Sequence, residues 1–310
     1  MQIYLPIAEI PVNVLLILAL GLGTGFLAGM FGIGGGFLST PLLMFIGIPP
    51  AVAVSTSTNQ IIASSVSGLL GHLRKGNVDI KMGLFLVIGG FIGSSLGVSI
   101  FKLLQSTGQT DTVIAVIYVI FLGSISIRML TDSIKSILEK KYNIIWEKKP
   151  KGRLDRFLVR INNLPWQMHF AKSNITVSVI VPIVLSIGIG ILVSLMGIGG
   201  GFLMIPAMIY ILRMPSSVVV GTSLFQIIFI ASNATFLQAL TNNTVDIILA
   251  FLMIVSSSIG AQLGTRAVYK SDPDSMKSLL SLLILGVCFK MMLTLVTAPQ
   301  NLYSVEVLKK

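Results

Sequence analysis

The residues that could do chemistry in this chain are few, and they occur in pairs of copies. Gly34, Gly35 and Gly36 stand before a short apolar run, and Gly199, Gly200 and Gly201 stand before another. Backbone N–H groups at a helix start lack carbonyl partners, and the helix dipole favours an anion there. Glycine lets a ligand approach that backbone and lets the chain break within an apolar environment. A polar run follows, Ser55-Thr56-Ser57-Thr58-Asn59-Gln60, whose second copy reads Gly221-Thr222-Ser223-Leu224-Phe225-Gln226. From these runs Thr56, Ser57, Asn59, Gln60, Thr222, Ser223 and Gln226 can donate hydrogen bonds to an oxyanion without adding charge; their other use is to bond helix to helix. Phe225 stands where the first copy has Asn59, so the site is expected to be asymmetric. Lys290 lies just past the middle of an apolar segment and could supply a counter-charge. Together these residues predict reversible binding of a small anion.

Catalysis has no visible carriers. The apolar segments hold no carboxylate cluster, and the chain's two histidines and single Cys288 cannot make an ordinary zinc, haem or iron–sulfur site. No Lys-Ser/Thr follows either glycine triplet, which excludes a Walker-type phosphate loop. Neither a cofactor, a metal nor an enzyme activity is expected. Asp79 and Asp246 open their segments and read as N-terminal helix caps. No buried proton relay is therefore visible, and the coupling ion, proton or sodium, stays open. Arg128 can snorkel to a membrane surface, His72 reads as a boundary residue, and the isolated Gly89, Gly93 and Gly97 read as close helix packing.

These residues must be positioned by membrane-spanning elements. Of 310 residues 54% are hydrophobic and only 11% charged, with a mean hydropathy of +0.93, whereas soluble domains carry about 25% charged residues. Ten apolar segments are legible: about 11–31, 34–48, 50–72, 80–104 and 112–134, then about 175–196, 199–212, 215–239, 245–268 and 275–298. The segments 34–48 and 199–212 are short; fifteen residues rise only ~22 Å, so each is expected to be a short or broken helix. Between the halves, residues 135–174 carry +7 of the net charge of +11. That bias marks the cytoplasmic side of a membrane protein rather than a nucleic-acid site. Within it Leu154, Phe157, Leu158 and Ile161 recur at helical spacing, predicting an interfacial helix, and Trp146 and Trp166 suit the headgroup region. With this loop inside, ten crossings put both termini outside and leave 105–111 and 240–244, which lack Lys and Arg, on the outer face. The first ten residues lack the positive region of a cleavable signal peptide.

The halves are copies. Gly32-Ile-Gly-Gly-Gly-Phe-Leu38 recurs letter for letter at Gly197–Leu203, with Pro41 matched by Pro206. Thr56-Ser57, Gln60-Ile-Ile62, Val78-Asp79-Ile80 and Gly93 recur as Thr222-Ser223, Gln226-Ile-Ile228, Val245-Asp246-Ile247 and Gly260. Five segments per copy is an odd number, so the second copy must lie inverted, and inverted repeats with broken helices are the architecture of secondary transporters. The expected fold is thus an all-α polytopic membrane protein: a first repeat at 11–134, a basic cytoplasmic loop at 135–174 and an inverted second repeat at 175–298.

The doubled GIGGGF-L motif followed by proline, the Thr-Ser pair beyond it and the basic central loop resemble the sulfite exporter TauE/SafE family, also called the toluene sulfonate uptake permeases. The resemblance covers about 14–298. It implies a secondary carrier for small sulfur oxyanions, such as sulfite, sulfoacetate or related organosulfonates, in the membrane of a bacterial or archaeal cell. The partners are then the small anion, a coupling ion and the lipid bilayer, with no nucleic acid. An anion channel, or a carrier for other small carboxylates, fits the same scaffold.

Overall fold

The computed structural model describes residues 2–107, 110–142, 165–267 and 273–296. The same order of elements occurs twice. In the first copy a hairpin, β1 (Gln2–Leu5) and β2 (Ile10–Asn13), leads into α1 (Val14–Phe31), α2 (Gly36–Phe45), α3 (Pro50–Arg74), α4 (Ile80–Ser106) and α5 (Thr110–Tyr142). In the second, β3 (Gln167–Phe170) and β4 (Ile175–Ser178) lead into α6 (Ile180–Met196), α7 (Gly201–Tyr210), α8 (Ser216–Thr241), α9 (Ile247–Ala267) and α10 (Pro273–Val296). Among the described residues there are thus ten helices, of which α1, α4, α8 and α9 are long and apolar enough to cross a membrane. Exposure runs opposite to that of a water-soluble protein. Ile247, Phe251 and Leu103 are 80, 65 and 66% exposed, while Thr56, Ser57 and Gln60 are wholly buried. Apolar side chains outside and polar ones inside are what lipid as solvent selects.

The antiparallel hairpins pair Gln2 with Asn13 and Gln167 with Ser178. Four-residue strands leave no alternation long enough to read, and β3 begins inside the polar 135–174 stretch. Helix α5 also continues to Tyr142, beyond the segment end expected at 134. The interfacial helix expected around 154–161, like Trp146, lies outside the described residues.

Glycine makes the breaks. Gly32 and Gly197, at φ 69° and 64°, end α1 and α6, their N–H groups returning to Ala28 O and Val193 O at 2.8 Å. Gly34 and Gly35 follow at φ 84° and 74°, and Gly199 and Gly200 at 81° and 72°, in the left-handed region that costs other residues strain. The short helices begin directly after. Pro41 and Pro206 sit within them, each removing one helical bond and limiting their length.

The copies interlock rather than lie side by side. Helix α1 packs parallel to α9, and α4 parallel to α6, so the first helix of each copy lies on the fourth of the other. Small residues allow the approach. A Cβ on Gly25 or Gly29 would fall 2.3 Å from Ser257 O or 2.1 Å from Ala261 O, and one on Gly260 would fall 2.2 Å from Leu22 O. Gly89, Gly93 and Gly97 do the same for α4, a Cβ meeting the carbonyls of Ile183, Ile187 and Ile191 at 2.3, 2.2 and 2.7 Å. The equivalent helices α3 and α8 pack together and run antiparallel. Thr58 meets Thr235 at 2.6 Å between hydroxyls, Gly68 faces Leu224, and His72 lies beside Gly221. Helices α5 and α10 form the remaining pair.

Candidate functional site

The two glycine turns meet at the middle of the molecule. A Cβ on Gly36 would lie 2.5 Å from Gly197 O, and one on Gly201 2.9 Å from Ile33 O. The first residues of the short helices stack across the same point, Phe37 on Phe202 with ring centroids 4.9 Å apart and planes 6° apart. Ile61 of α3 and Ile227 of α8, both buried, fill the space behind the turns with Ala231. Gly36 and Gly199 are packed hard on Ile61, where a Cβ would come within 2.2 and 2.7 Å. Gly34 is looser: its nearest neighbours would be Ile61 Cγ2 at 3.2 Å, Ser65 Oγ at 3.7 Å and Ile227 Cδ1 at 3.9 Å. Gly35 lies against Ala28 and Thr24 of α1, and Gly200 against Val193 and Ile189 of α6. At the start of α2 only Leu38 and Ser39 turn back to Gly35 O, at 3.2 and 3.3 Å. The N–H groups of Gly36 and Phe37 precede the first possible intrahelical bond.

Most of the polar run joins helices. Ser55 shares a hydrogen bond with Thr244 at 2.6 Å, and Ser57 with Thr40 of α2 at 2.6 Å, beside Gly197 O. Thr56 Oγ1 accepts from Asp246 N at 3.1 Å, and Thr222 Oγ1 accepts from Asp79 N at 2.9 Å. Ser223 donates to Val220 O within its own helix. Gln60 Nε2 donates to Thr24 Oγ1 at 2.6 Å, and Gln226 Nε2 to Ser186 Oγ at 2.9 Å. Six buried side-chain atoms lack a partner among the described residues: Asn59 Nδ2, Gln60 Oε1, Ser65 Oγ and Gln226 Oε1, with His72 Nδ1 and Asn242 Oδ1 at helix ends. Such groups cost ~1–3 kcal/mol each when left unpaired, so they are where a ligand or water has most to gain. Ser65 carries no signal in the sequence beyond its hydroxyl; only its closeness to Gly34 singles it out.

Two hubs hold the copies to each other. Asp79 caps α4 by accepting from Met82 N at 3.1 Å, and its other oxygen accepts from Ser173 N at 3.2 Å and Ser173 Oγ at 2.6 Å. Asp246 accepts from Leu249 N and from Ile7 N, both at 3.0 Å. Ser173 lies in the turn of the second hairpin and Ile7 in that of the first. Each aspartate therefore binds its own helix start and the other copy's hairpin through its carboxylate and, through its backbone N–H, the other copy's threonine. Because α3 and α8 are antiparallel, the hubs lie at opposite ends of that pair. The sequence indicates the caps but not the second use of each carboxylate.

Lys290 does not join the glycine turns. It lies on the exposed side of α10 with Nζ 4.2 Å from the centre of the Phe45 ring, a cation–π contact at the far end of α2. Nine residues separate Phe45 from Gly36, roughly 13 Å along the helix. Tyr118 of α5 is placed closer, its hydroxyl donating to Met196 O at the end of α6. No group of His, Cys, Asp or Glu suited to a metal occurs among the described residues.

The arrangement is that of a multi-pass membrane protein with two copies of one unit whose glycine turns meet, and with buried polar atoms left unpaired on the adjoining helices α3 and α8. Residues 17–291 match the sulfite exporter TauE/SafE family. The chain belongs to that family and is a membrane transporter of its type. It is similar to the probable membrane transporter protein YunE of Bacillus subtilis, 28% identical over 87% of this chain and 94% of that protein. The probable membrane transporter protein YjnA of the same organism is likewise 28% identical, over 87% of this chain and 96% of its own length. Sulfite exporter TauE/SafE family protein 1 of Arabidopsis thaliana is 33% identical over 29% of this chain and 20% of that protein. No solved structure matches the chain.

Proposed function

We propose that this chain is a secondary transporter of small sulfur-containing oxyanions, with sulfite, sulfoacetate and related organosulfonates as the substrate class. It works in the cell membrane by alternating access of two inverted repeats, crossing ten times with both termini outside and the basic 135–174 stretch inside. One observation carries the reading: the equivalent helices α3 and α8 pack antiparallel about a centre where both glycine turns meet. That relation is the one an inverted pair of repeats requires. The anion lies against Gly34, Gly35 and Gly36 and their counterparts Gly199, Gly200 and Gly201. Helix-start N–H groups, Ser65, Asn59, Gln60 and Gln226 surround it, while Thr56, Ser57, Thr222 and Ser223 fix the helices that carry them. Ile61 and Ile227 close the space beside the turns and must move aside for the ligand. The hubs at Asp79 and Asp246 act as equivalent joints at the two faces, one loosening as each face opens. Lys290 is left out of the site, on the strength of its contact with Phe45.

The test is flux. In liposomes the purified protein should take up sulfite saturably, and Gln60→Ala should weaken uptake about tenfold while the protein still folds. Flux that rises without saturation would make it a channel, and absence of any sulfur-oxyanion flux or binding would remove the reading.

A further inference from the structure

Of the six buried atoms without a partner among the described residues, those on α3 and α8 are not all donors. Asn59 Nδ2 donates, Ser65 Oγ can do either, but Gln60 Oε1 and Gln226 Oε1 can only accept. The orientation of each amide follows from its neighbour. Thr24 Oγ1 lies 2.7 Å from Leu20 O, so its proton points there and its oxygen receives Gln60 Nε2. Ser186 donates to Leu86 O of α4 and likewise receives Gln226 Nε2. Both copies thus engage the amide nitrogen and leave the carbonyl oxygen over, at equivalent positions, wholly or almost wholly buried.

A fully ionised oxyanion offers only lone pairs, which two carbonyl dipoles repel. An oxyanion that retains one acidic proton offers an O–H together with acceptor oxygens, and so meets both kinds of open valence. Resting on the transport reading above, we infer that the site takes the hydrogen form of its oxyanion, whose O–H donates to Gln60 Oε1 or Gln226 Oε1. The proton crosses on the substrate, which explains how a span interior without carboxylates can couple anion movement to pH. Atoms balance without a protein relay: the anion is protonated in water on one side and ionises again on the other.

The protein's own titratable groups lie elsewhere. Helices α1, α2, α6 and α8, which supply the amides and their neighbours, contain no Asp, Glu, His, Lys, Arg, Cys or Tyr. On the other packed elements stand His72 and Arg74 at the end of α3, Asp79, Lys81 and Lys102 near the ends of α4, Tyr210 of α7, Asp246 and Arg266 at the ends of α9, and Asp274, Lys277, Cys288 and Lys290 of α10. Through their backbone N–H groups Asp79 and Asp246 bond the threonines one turn before each glutamine. Helix α5 adds Asp111, Tyr118, Arg128 and the charges from Asp132 onward. Among those whose side chains are described, none hydrogen-bonds either glutamine.

Calorimetric titration of the purified full chain with sulfite and with methanesulfonate, from about pH 6 to about pH 9, tests this. Sulfite carries a proton below its second ionisation, near neutrality, and methanesulfonate carries none throughout. Affinity for total sulfite should hold on the acid side and then fall about tenfold per pH unit, following the hydrogen form. Methanesulfonate should bind about tenfold more weakly than hydrogen sulfite, with no slope. Gln60→Met and Gln226→Met should each weaken acid-side sulfite binding about tenfold, and the double variant should lose the slope. A pH-independent sulfite affinity, a slope shared by methanesulfonate, or a requirement for sodium over potassium would each overturn the inference while leaving an anion transporter in place. Failure of both ligands to bind at any pH would overturn the anion site itself, and the inference with it.

Discussion

Replacing Asp79 by alanine should destabilise the folded protein more than any single hydroxyl change in the polar run. The carboxylate is 2% exposed and accepts three hydrogen bonds, from Met82 N, Ser173 N and Ser173 Oγ. Each bond to a charged acceptor contributes ~1.5–3 kcal/mol, and the helix cap alone is worth about 1 kcal/mol. Removing the carboxylate also removes its desolvation, so the sum overshoots; about 3–5 kcal/mol is the measured scale for breaking a buried charged partner. At roughly 2 °C per kcal/mol for a long chain, melting in detergent micelles should fall by about 6–10 °C. Graded controls locate the cause. Asp79→Asn keeps an oxygen for Met82 N but can set an amide against Ser173 N, and should cost about half as much. Ser173→Ala removes one bond and should cost ~1–2 kcal/mol. A shift below about 2 °C for Asp79→Ala would show that the hub does not hold the hairpin to α4. An equal loss in the asparagine variant would mean that charge, rather than the capped N–H, carries the effect.

Three further outcomes are expected. Gly25→Ala should destabilise by about 1–3 kcal/mol, because its Cβ would fall 2.3 Å from Ser257 O, whereas Gly23→Ala, with nothing within 4 Å, should be neutral or stabilising by up to about 1 kcal/mol; paired melting curves read the contrast. Lys290→Met should leave anion affinity within about twofold, since the ammonium rests on Phe45, and a tenfold loss by titration would return it to the site. Cysteines placed at Thr241 and Glu139 in a Cys288→Ser background should label from opposite sides of a sealed membrane, and labelling from one side would refute the inverted arrangement.

How far the sequence reached depends on how each feature is encoded. Helix existence was legible because lipid demands long apolar runs, and the breaks were legible because only glycine tolerates the turn at Gly34–Gly35 and Gly199–Gly200. The hairpins were not, since four-residue strands leave no periodicity. The polar run was legible as costly to bury but not as to what satisfies it. Thr56 and Thr222 point to the opposite copy's helix start, a pairing set by the antiparallel register of α3 and α8 rather than by local sequence. Lys290 is the reverse case: depth along a segment was readable, but which side of α10 it occupies depends on the neighbour, and that neighbour is Phe45.

The departures from symmetry bear most on function. Where the first copy has Ser55, Thr58, Asn59, Ser64 and Ser65, the second has Gly221, Leu224, Phe225, Ile230 and Ala231. Among the described residues α3 therefore carries four of the six buried unpartnered atoms, at Asn59, Gln60, Ser65 and His72, and α8 only Gln226 Oε1. Phe225 instead fills space beside Gly83 of α4, where a Cβ would lie 2.6 Å from its ring, and packs edge-on against Phe229 at 5.1 Å. A perfectly two-fold site would hold an anion in two equivalent orientations, each weakly defined. On the proposed function, donors concentrated on α3 and one acceptor from each copy would give a ligand a single best orientation, its charged oxygens toward Ser65 and Asn59. On the same reading, the pseudo-symmetric joints at Asp79 and Asp246 would make the two faces similar in how they open, while the asymmetric centre would keep the ligand's pose the same from either side. Substituting Phe225 by asparagine would restore the symmetry at that one of the five positions and, on this argument, loosen selectivity between oxyanions of different shape without abolishing binding.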